Sequence, residues 1–457
     1  MGVFASILYF IDFIVFVCYF AYKFIRRKYI FSCFNISIFV YYFSIFISPV
    51  FYNTSQAWVA LNVTDYKSYY KYLDEALIVN SLGFIICMFT TAFIEYNRGR
   101  NGQNKLYRFS EKINISILDL FYWVFILAWY FIVIIFNKGL PLLNGGRTFF
   151  LGSLISPIYQ ALNEIILVYT LFYGMRLVYG SRFKKNIFIK MCISLLTLLF
   201  TGNRGTVLVS AFVPIMLVFI NNRTRIKETR RHQKVSTNYV QNWQVVATVK
   251  IIILLVITVI IGLLLSVVRN GGTGSVSSLI SELIYGNTFS DMRDGAFILQ
   301  GFQQKFGDNY LFGRTYLAGF LSFIPSSISP FMVEWRWGRF STTMLFGWTG
   351  HFGLRGGNVM EAYLNFGVVG VVFAGIAQGI LAGYLEKMFY KIFFLGDVRH
   401  NGREYIILLC LSSLSNILIN TAALYNIYVY IVFYILITLP IYLGKSTEKV
   451  KLREGKI

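Results

Sequence analysis

The sequence predicts an all-α polytopic integral membrane protein, and three observations support this fold class. Apolar residues make up 56% of the 457 residues, charged residues only 14%, and the mean hydropathy is +0.61, a composition that no single soluble core accommodates. Apolar runs of about twenty residues, enough to cross a hydrocarbon layer of about 30 Å, recur along the chain. These runs are continuous rather than alternating, which favours helices because a helix pairs its own backbone groups within the membrane.

We predict eleven membrane-spanning helices. They lie at residues 3–22, 29–51, 76–95, 115–137, 157–179, 187–201, 205–220, 247–268, 359–383, 404–421 and 423–443. The first eight form an N-terminal transmembrane bundle over 1–268, and the last three begin a C-terminal segment, 359–457, with a basic cytoplasmic tail. Between them, residues 269–358 form a large extracytoplasmic loop, facing the periplasm, that carries amphipathic helices.

The distribution of Lys and Arg predicts the orientation of these spans. Thirty of the 42 basic residues fall in alternate connecting segments, namely 23–28, 96–112, 176–190, 223–250, 387–403 and 445–456. Segments rich in Lys and Arg stay in the cytoplasm, so the N-terminus is predicted outside and the C-terminus inside. The net charge of +22 is dispersed over short loops, which favours anionic lipid headgroups over nucleic acid as its partner.

The sequence lacks the common motifs for cofactors. The five cysteines lie in or beside apolar runs without a CxxC spacing, and the three histidines form no metal-binding pattern. No glycine-rich phosphate loop of the P-loop or dinucleotide-binding type occurs. We therefore predict neither a transition-metal site nor a nucleotide cofactor.

Charged residues within the apolar runs are scarce, the main cases being Asp12, Asp119 and Glu164. A transporter or proton pump would place several such residues at mid-span. Only Glu164, about two turns from the outer end of its span, is well placed to line a cavity. A hydrogen bond between helices is the alternative interpretation of this residue.

The long outer loop carries seven basic residues, six of them arginine. They are Arg269, Arg293, Lys305, Arg314, Arg336, Arg339 and Arg355. A planar guanidinium binds phosphate oxygens with two parallel hydrogen bonds. This composition favours an enzyme that handles a lipid diphosphate outside the cytoplasm.

Two further outer arginines stand in glycine-rich turns. The sequence TGNRG at 201–205 permits a tight turn that presents Arg204 beside the free N–H groups of the next helix, although Arg204 could equally cap a hairpin. The sequence LNGGR at 143–147 gives Arg147 a weaker version of the same setting.

Within the long loop, residues 287–302 predict an amphipathic helix that lies along the membrane surface. Asp291 and Asp294 are spaced to share one helix face. Pairing with Arg293, Arg314 or a neighbouring cation is the favoured interpretation, and coordination of Mg²⁺ is the alternative. At the end of the loop, His351, Arg355 and Glu361 meet at the outer mouth of a helix.

Four blocks, taken in their order along the chain, resemble a known family. They are TGNRG at 201–205, NTFSDMRD at 287–294, GRTY at 313–316 with FIP at 323–325, and EAYLNFG at 361–367. Together they resemble O-antigen polymerases of the Wzy type, or closely related oligosaccharide repeat-unit polymerases, over most of the chain. The implied fold is a bundle similar to that of GT-C-like polymerases and ligases.

This resemblance implies a glycosyltransferase that joins undecaprenyl-diphosphate-linked repeat units on the outer face of the bacterial inner membrane. Donor and acceptor would both be lipid-linked oligosaccharides, with membrane lipids and a chain-length regulator protein as further partners, and with no metal. The donor already carries its diphosphate leaving group, so the protein must stabilise charge that develops on phosphate.

In this reaction Arg204, Arg293, Arg314 and Arg355 would bind the diphosphates, with Arg147 and Arg269 as weaker candidates. Glu361 or His351 would take the proton of the attacking hydroxyl. His351 could instead donate to phosphate, and Glu361 could instead be a carboxylate that stabilises a helix N-terminus.

Two other functions are compatible with parts of the pattern. An O-antigen ligase would share outer arginines and a histidine but would transfer glycan to a lipid A core. A lipid-linked oligosaccharide flippase or other transporter would need charges through a central cavity and internal repeat symmetry, which the sequence does not display.

Overall fold

We describe the protein from a computed structural model. The structure describes residues 1–25, 33–96, 115–141, 155–179, 185–201, 289–321, 328–349 and 354–390, with single positions between 250 and 285, residue 324 and parts of 432–439. Within these residues all regular elements are helical, as the sequence predicts.

Twelve α-helices are numbered here in chain order. They are α1 (Val3–Ile25), α2 (Cys33–Phe46), α3 (Val50–Asn53), α4 (Tyr70–Tyr96), α5 (Ile115–Phe131), α6 (Ile155–Tyr179), α7 (Lys185–Phe200), α8 (Asp291–Phe306), α9 (Arg314–Phe320), α10 (Pro330–Trp335), α11 (Trp337–Arg339) and α12 (Gly357–Tyr390). Short 3-10 helices at Ser55–Leu61 and Tyr66–Tyr69 precede α4, and π-helical turns follow α5 and α11.

Four helical segments of the described chain are long and apolar enough to cross a membrane. They are Val3–Lys23, Tyr66–Glu95, Ser116–Phe136 and Gly357–Lys387. They overlap the spans predicted at 3–22, 76–95, 115–137 and 359–383, and the second begins ten residues earlier than predicted. The total of eleven remains a prediction, and the spans predicted at 205–220 and 404–421 lie outside the described residues.

The chain divides into two compact units. Unit 1 comprises Met1–Asn104, Ile280–Phe389 and Leu411–Tyr428, and unit 2 comprises Lys105–Leu279, Tyr390–Cys410 and Val429–Ile457. Most of the predicted outer loop therefore packs with the first helices and with α12, in one unit. All residues of the candidate site discussed below that the structure describes belong to unit 1.

In unit 1, α1 packs against α4 along a face of unusual polarity. The buried residues of α1 are Ala5, Asp12, Tyr19 and Lys23, and their spacing places them on one side of the helix. The backbone N–H of Gly2 donates to Asp74 at the start of α4, and Lys23 pairs with Glu95 at its end. The two helices therefore run parallel.

The last helix, α12, is broken at Gly367, where φ is 63° and ψ is −150°. After the break, α12 packs tightly on α4 through Gly375, Gly379 and Gly383. A Cβ atom at Gly379 would lie 2.5 Å from Cβ of Thr90, which leaves no space for a larger residue. Glycines at this spacing allow two helix backbones to approach closely, as in many membrane helix pairs.

The helix predicted at 287–302 is present as α8, but its position differs from the prediction. Its apolar residues Ala296, Phe297, Leu299 and Phe302 are buried in the protein core instead of lying on a membrane surface. The helix packs mainly on α4. Aromatic neighbours account for this placement, because Phe297 stacks on Tyr69 and on Phe346 at ring distances of 5.7 and 4.3 Å.

One end of unit 1 buries three charged side chains, and we call it the lysine end. The ammonium group of Lys23 lies 3.0 Å from Oε1 of Glu95 and 2.9 Å from Oε2 of Glu386, which joins α1, α4 and α12. The Tyr19 hydroxyl donates to the same Glu95 oxygen at 3.2 Å. The opposite end of unit 1, where α8 begins, we call the arginine end.

In unit 2, the described helices α5, α6 and α7 pack together through tyrosine hydroxyls. The Tyr173 hydroxyl donates to Oδ1 of Asp119 at 2.8 Å, and Oδ2 of Asp119 pairs with Lys190 at 2.7 Å. The Tyr122 hydroxyl donates to the carbonyl oxygen of Lys190. Asp119 is thus a partner for helix packing, while Glu164 lies half-buried on α6.

Candidate functional site

The arginine end is organised around Arg293, which lies in the first turn of α8 and is fully buried. Its Nε and Nη2 donate to Oδ1 of Asp294 at 3.0 and 2.8 Å, and its Nη1 donates to the carbonyl oxygen of Ala57 at 2.8 Å. A second acceptor, the carbonyl oxygen of Tyr285, lies 3.4 Å from Nη1. Arg293 therefore ties α8 to the loop before α4.

The carboxylate of Asp294 is the centre of this network. Beyond the two bonds from Arg293, its Oδ2 accepts from the Ser290 hydroxyl at 3.0 Å and from the backbone N–H of Arg355 at 3.2 Å. Both oxygens of this buried carboxylate are therefore paired with donors. The predicted pairing of Asp294 with Arg293 is confirmed.

Asp291, one turn before Asp294, lies in a different environment. Its Oδ2 accepts from the Ser44 hydroxyl at the end of α2, at 2.9 Å. Burial raises the pKa of Asp291, and the positive charge of Arg355 and the Ser44 hydrogen bond oppose that rise. No group of three or more His, Cys, Asp or Glu side chains that could hold a metal ion occurs in the described part of the chain.

Arg355 is the residue that this network presents to the exterior. Asp294 holds its backbone N–H, and the Ser341 hydroxyl accepts from the preceding N–H of Leu354 at 3.3 Å. The Arg355 side chain itself is exposed, and its charge acts on Asp291. A cationic group is therefore held at the protein surface by a buried and rigid support.

A second exposed arginine, Arg314, begins α9. Gly313 precedes it with a φ of 83°, a conformation that glycine adopts without strain. The guanidinium of Arg314 lies over the ring of Trp335, 4.8 Å from the ring centroid. This cation–π contact orients the arginine, whose side chain is exposed.

Glu361 lies in the short part of α12 before the break and is only 1% exposed. Burial raises the pKa of Tyr316 on α9, and the negative charge of Glu361 raises it further. Tyr316 therefore stays protonated beside this carboxylate. Asn365 joins the two helices, because its Nδ2 donates to Oγ1 of Thr315 at 2.7 Å and to the carbonyl oxygen of Glu361 at 2.8 Å.

The turn that leads into α9 contains a strained aromatic residue. Phe312 has a φ of 48°, rare for a bulky side chain, and is 76% exposed. Its backbone N–H donates to the carbonyl oxygen of Asn365 at 3.0 Å, and the N–H of Leu311 donates to that of Leu364. Such strain persists where surrounding contacts hold the backbone, often at functional sites.

The structure thus brings part of the predicted site together. Arg293 and the backbone N–H of Arg355 both donate to Asp294. The segment that follows Arg355 packs on α8: a Cβ at Gly295 would lie 3.2 Å from Cε of Met360, the residue before Glu361. Arg314 lies on α9, which Asn365 connects to this segment. The other predicted site residues, Arg147, Arg204, Arg269 and His351, lie outside the described residues.

Several members of the site escape sequence reasoning. Ser44, Ser290, Tyr316 and Asn365 each contact a predicted residue or its neighbour. Ser290, Tyr316 and Asn365 fall inside the blocks NTFSDMRD, GRTY and EAYLNFG, so their position in those blocks is a usable signal. No sequence signal identifies Ser44, because it lies 247 residues from Asp291 along the chain.

Comparisons of the chain with protein-family models, with curated proteins and with solved structures find no match. The candidate site therefore rests on the residues and their geometry.

Proposed function

We propose that this chain is a membrane glycosyltransferase that polymerises undecaprenyl-diphosphate-linked oligosaccharide repeat units into O-antigen or a related surface polysaccharide, without a metal, on the outer face of the bacterial inner membrane. The observation that carries this proposal is the pair of exposed arginines, Arg314 and Arg355, each held on a structured support close to the segment that contains buried Glu361.

The arginines would act on the leaving group. When the bond between the sugar C1 and the diphosphate oxygen breaks, negative charge grows on the phosphate oxygens. Guanidinium groups fixed in advance stabilise that charge without having to reorganise. Arg314 and Arg355 have the exposure that such contact needs. Arg293 is buried and acts as a positioning residue. It donates to Asp294, and the same carboxylate accepts from the backbone N–H of Arg355.

Glu361 would act on the acceptor. The hydroxyl oxygen of the acceptor sugar attacks C1 of the donor, its proton passes to the Glu361 carboxylate, and the diphosphate leaves with the bonding electron pair. Because Glu361 is only 1% exposed, the residues that cover it must move aside when the acceptor binds. Tyr316 stays protonated near this carboxylate, because burial and the negative charge of Glu361 both raise its pKa. His351 remains the alternative base.

The test is an assay with purified protein, a defined undecaprenyl-diphosphate repeat unit and no added metal, with products resolved on a gel. We expect a ladder of polymers from the native protein. Arg314→Ala, Arg355→Ala and Glu361→Gln should each reduce it by a factor of about 100 or more, the usual cost of losing a group that stabilises or protonates a transition state. Lys305→Ala, which removes an exposed cation from the far end of α8, should leave the ladder intact.

Three outcomes would redirect the proposal. A full ladder from both arginine variants would exclude these residues as diphosphate ligands. Product that appears only when a lipid A core acceptor is supplied would indicate a ligase. Movement of the lipid-linked donor across vesicles, without any ladder, would indicate a flippase.

A further inference from the structure

The helix α9 exposes its large apolar residues instead of burying them. Leu317 and Phe320 on this helix are 50% and 53% exposed, and Phe312 in the turn before it is 76% exposed. The buried side of α9 carries small or polar residues, namely Thr315, Ala318 and Gly319. A surface helix of a water-soluble domain has the opposite arrangement, with its apolar residues turned inward. The exposed face of α9 therefore suits an apolar environment.

The turn before α9 holds this face in place. The backbone N–H of Phe312 donates to the carbonyl oxygen of Asn365 at 3.0 Å, and the N–H of Leu311 donates to the carbonyl oxygen of Leu364 at 3.0 Å. Both acceptors lie in α12, just before its break at Gly367. These bonds keep Phe312 in its left-handed conformation, so the exposure of its ring is a fixed feature of the fold.

The exposed face of α9 continues into the exposed face of α12. Tyr316 stacks on Phe366 with a ring distance of 6.1 Å, and a Cβ at Gly313 would lie 3.1 Å from Cζ of the same ring. Phe366 is itself 45% exposed. Beyond the break, exposed apolar and aromatic residues recur at helical spacing along α12, namely Val369, Phe373, Ile376, Ile380 and Tyr384.

The break at Gly367 sets the level of α9 relative to a bilayer. The segment Gly357–Lys387 is long and apolar enough to cross a membrane. Its continuous helical part after the break runs from Val368 to Lys387, roughly twenty residues or about 30 Å, which matches the hydrocarbon layer without the part before the break. Lys387 at the far end suits a headgroup region. The break, and α9 beside it, then lie where the hydrocarbon layer begins on the other side.

We propose that α9 is an interfacial helix whose exposed face, formed by Phe312, Leu317 and Phe320, lies in the acyl chains of the extracytoplasmic leaflet. Arg314 begins the same helix, and its exposed guanidinium lies at the level of the lipid phosphates. Acyl chains suit this face better than a protein partner does, because it is continuous with the exposed stripe of the membrane-crossing helix α12. The inference holds whether or not the chain polymerises sugars.

The test places the photoreactive residue p-benzoylphenylalanine in the full-length protein, in nanodiscs made of a single phospholipid. It replaces Phe312, Leu317 or Phe320, one position at a time. Irradiation bonds the benzophenone to neighbouring C–H groups, and mass spectrometry of the protein identifies the captured molecule. We expect each position to capture one phospholipid, with a yield at least about tenfold above that of an exposed polar position outside the bilayer.

Two positions serve as controls. Phe373, 68% exposed on α12, should capture lipid with a yield similar to that of the α9 positions. Gln304, exposed near the end of α8, is the polar control and should capture little. All three α9 side chains are exposed, so their replacement leaves the core intact. Leu317 and Phe320 keep the test informative should a change at Phe312 disturb the turn.

Two results would overturn the proposal. The first is a lipid yield at Phe312, Leu317 and Phe320 no higher than at Gln304, which would mean that this face is in water. The second is a bond from these positions to another part of the chain or to a second copy, because protein would then cover the face. Neither readout requires activity, so the absence of a polymer ladder would leave this inference unaffected.

Discussion

The lysine end and the arginine end of unit 1 both bury a cation against carboxylates, yet they differ in what they expose. At the lysine end, Lys23 is enclosed by Glu95 and Glu386, and all three side chains are almost completely buried. At the arginine end, Asp294 uses one oxygen for Arg293 and the other to hold the backbone of the exposed Arg355. The same kind of pairing thus encloses a cation at one end and supports an exposed arginine at the other.

The largest effect should come from breaking the lysine end. Lys23→Met leaves two carboxylates buried close together without a cation, and we expect a loss of about 3–5 kcal/mol in the free energy of unfolding. Chemical denaturation in detergent would measure it. Adding Glu95→Gln and Glu386→Gln to the same chain should restore most of the stability. Lys67→Met, at an exposed position, is the control and should be near neutral. If Lys23→Met unfolds with the same free energy as the native protein, the pairing of Lys23 with Glu95 and Glu386 does not stabilise the fold.

At the arginine end, the loss of stability should be somewhat smaller and should differ between Arg293 and Arg355. Arg293→Ala removes the cation from Asp294 but leaves the donors Ser290 and the N–H of Arg355, so we expect a loss of about 2–3 kcal/mol. Arg355→Ala should cost less than about 1 kcal/mol, because that side chain is exposed and the variant loses its charge interaction with Asp291. Parallel unfolding curves test this division. Equal losses in the two variants would contradict the distinction between a buried support and a surface ligand.

The smallest effect concerns the pH dependence at Asp291. Burial raises the pKa of this carboxyl in the folded state above its ordinary value of 3.8, so the folded protein binds the proton more tightly than the unfolded chain does. Its contribution to stability is therefore favourable at low pH and is lost as pH rises from 3.8 through the raised pKa.

Asp291→Asn cannot titrate and should lack this slope, while its amide oxygen can still accept from Ser44. The measurement is the stability of the native protein minus that of the variant, followed from pH 4 upward. We expect this difference to fall as pH rises. A difference that stays flat would mean that the Arg355 charge and the Ser44 hydrogen bond compensate the burial of Asp291 fully.

Sequence reasoning succeeds where a short stretch of chain determines the outcome. Apolar length predicts four helical segments that are long and apolar enough to cross a membrane, three of them near their observed bounds. The pairing of Arg293 with Asp294 follows from residues that are adjacent in one helical turn. The position of α8 is less predictable. Its apolar face suits a membrane surface or a protein core equally well, and only the packing of distant aromatic residues decides between them.

The remaining features depend on contacts between distant parts of the chain. Lys23 counts toward a basic cytoplasmic segment in the charge pattern, yet it is 1% exposed because Glu386, 363 residues away, lies against it. The carbonyl oxygen of Ala57, which accepts from Arg293, is 236 residues from it. Composition and spacing carry no information on such pairs, since the packing of whole helices sets them.

The break at Gly367 has a consequence for how the carboxylate of Glu361 is aimed. In an unbroken helix each residue turns by about 100°, so the direction of Glu361 would be dictated by the face that Gly375 and Gly379 turn toward α4. Because the break at Gly367 interrupts the helix, the direction of Glu361 before the break does not depend on the direction of Gly375 and Gly379 after it. A Cβ at position 367 would lie 2.7 Å from the Tyr310 ring, so a glycine at this position allows the direction of Glu361 to differ from that of the face packed on α4.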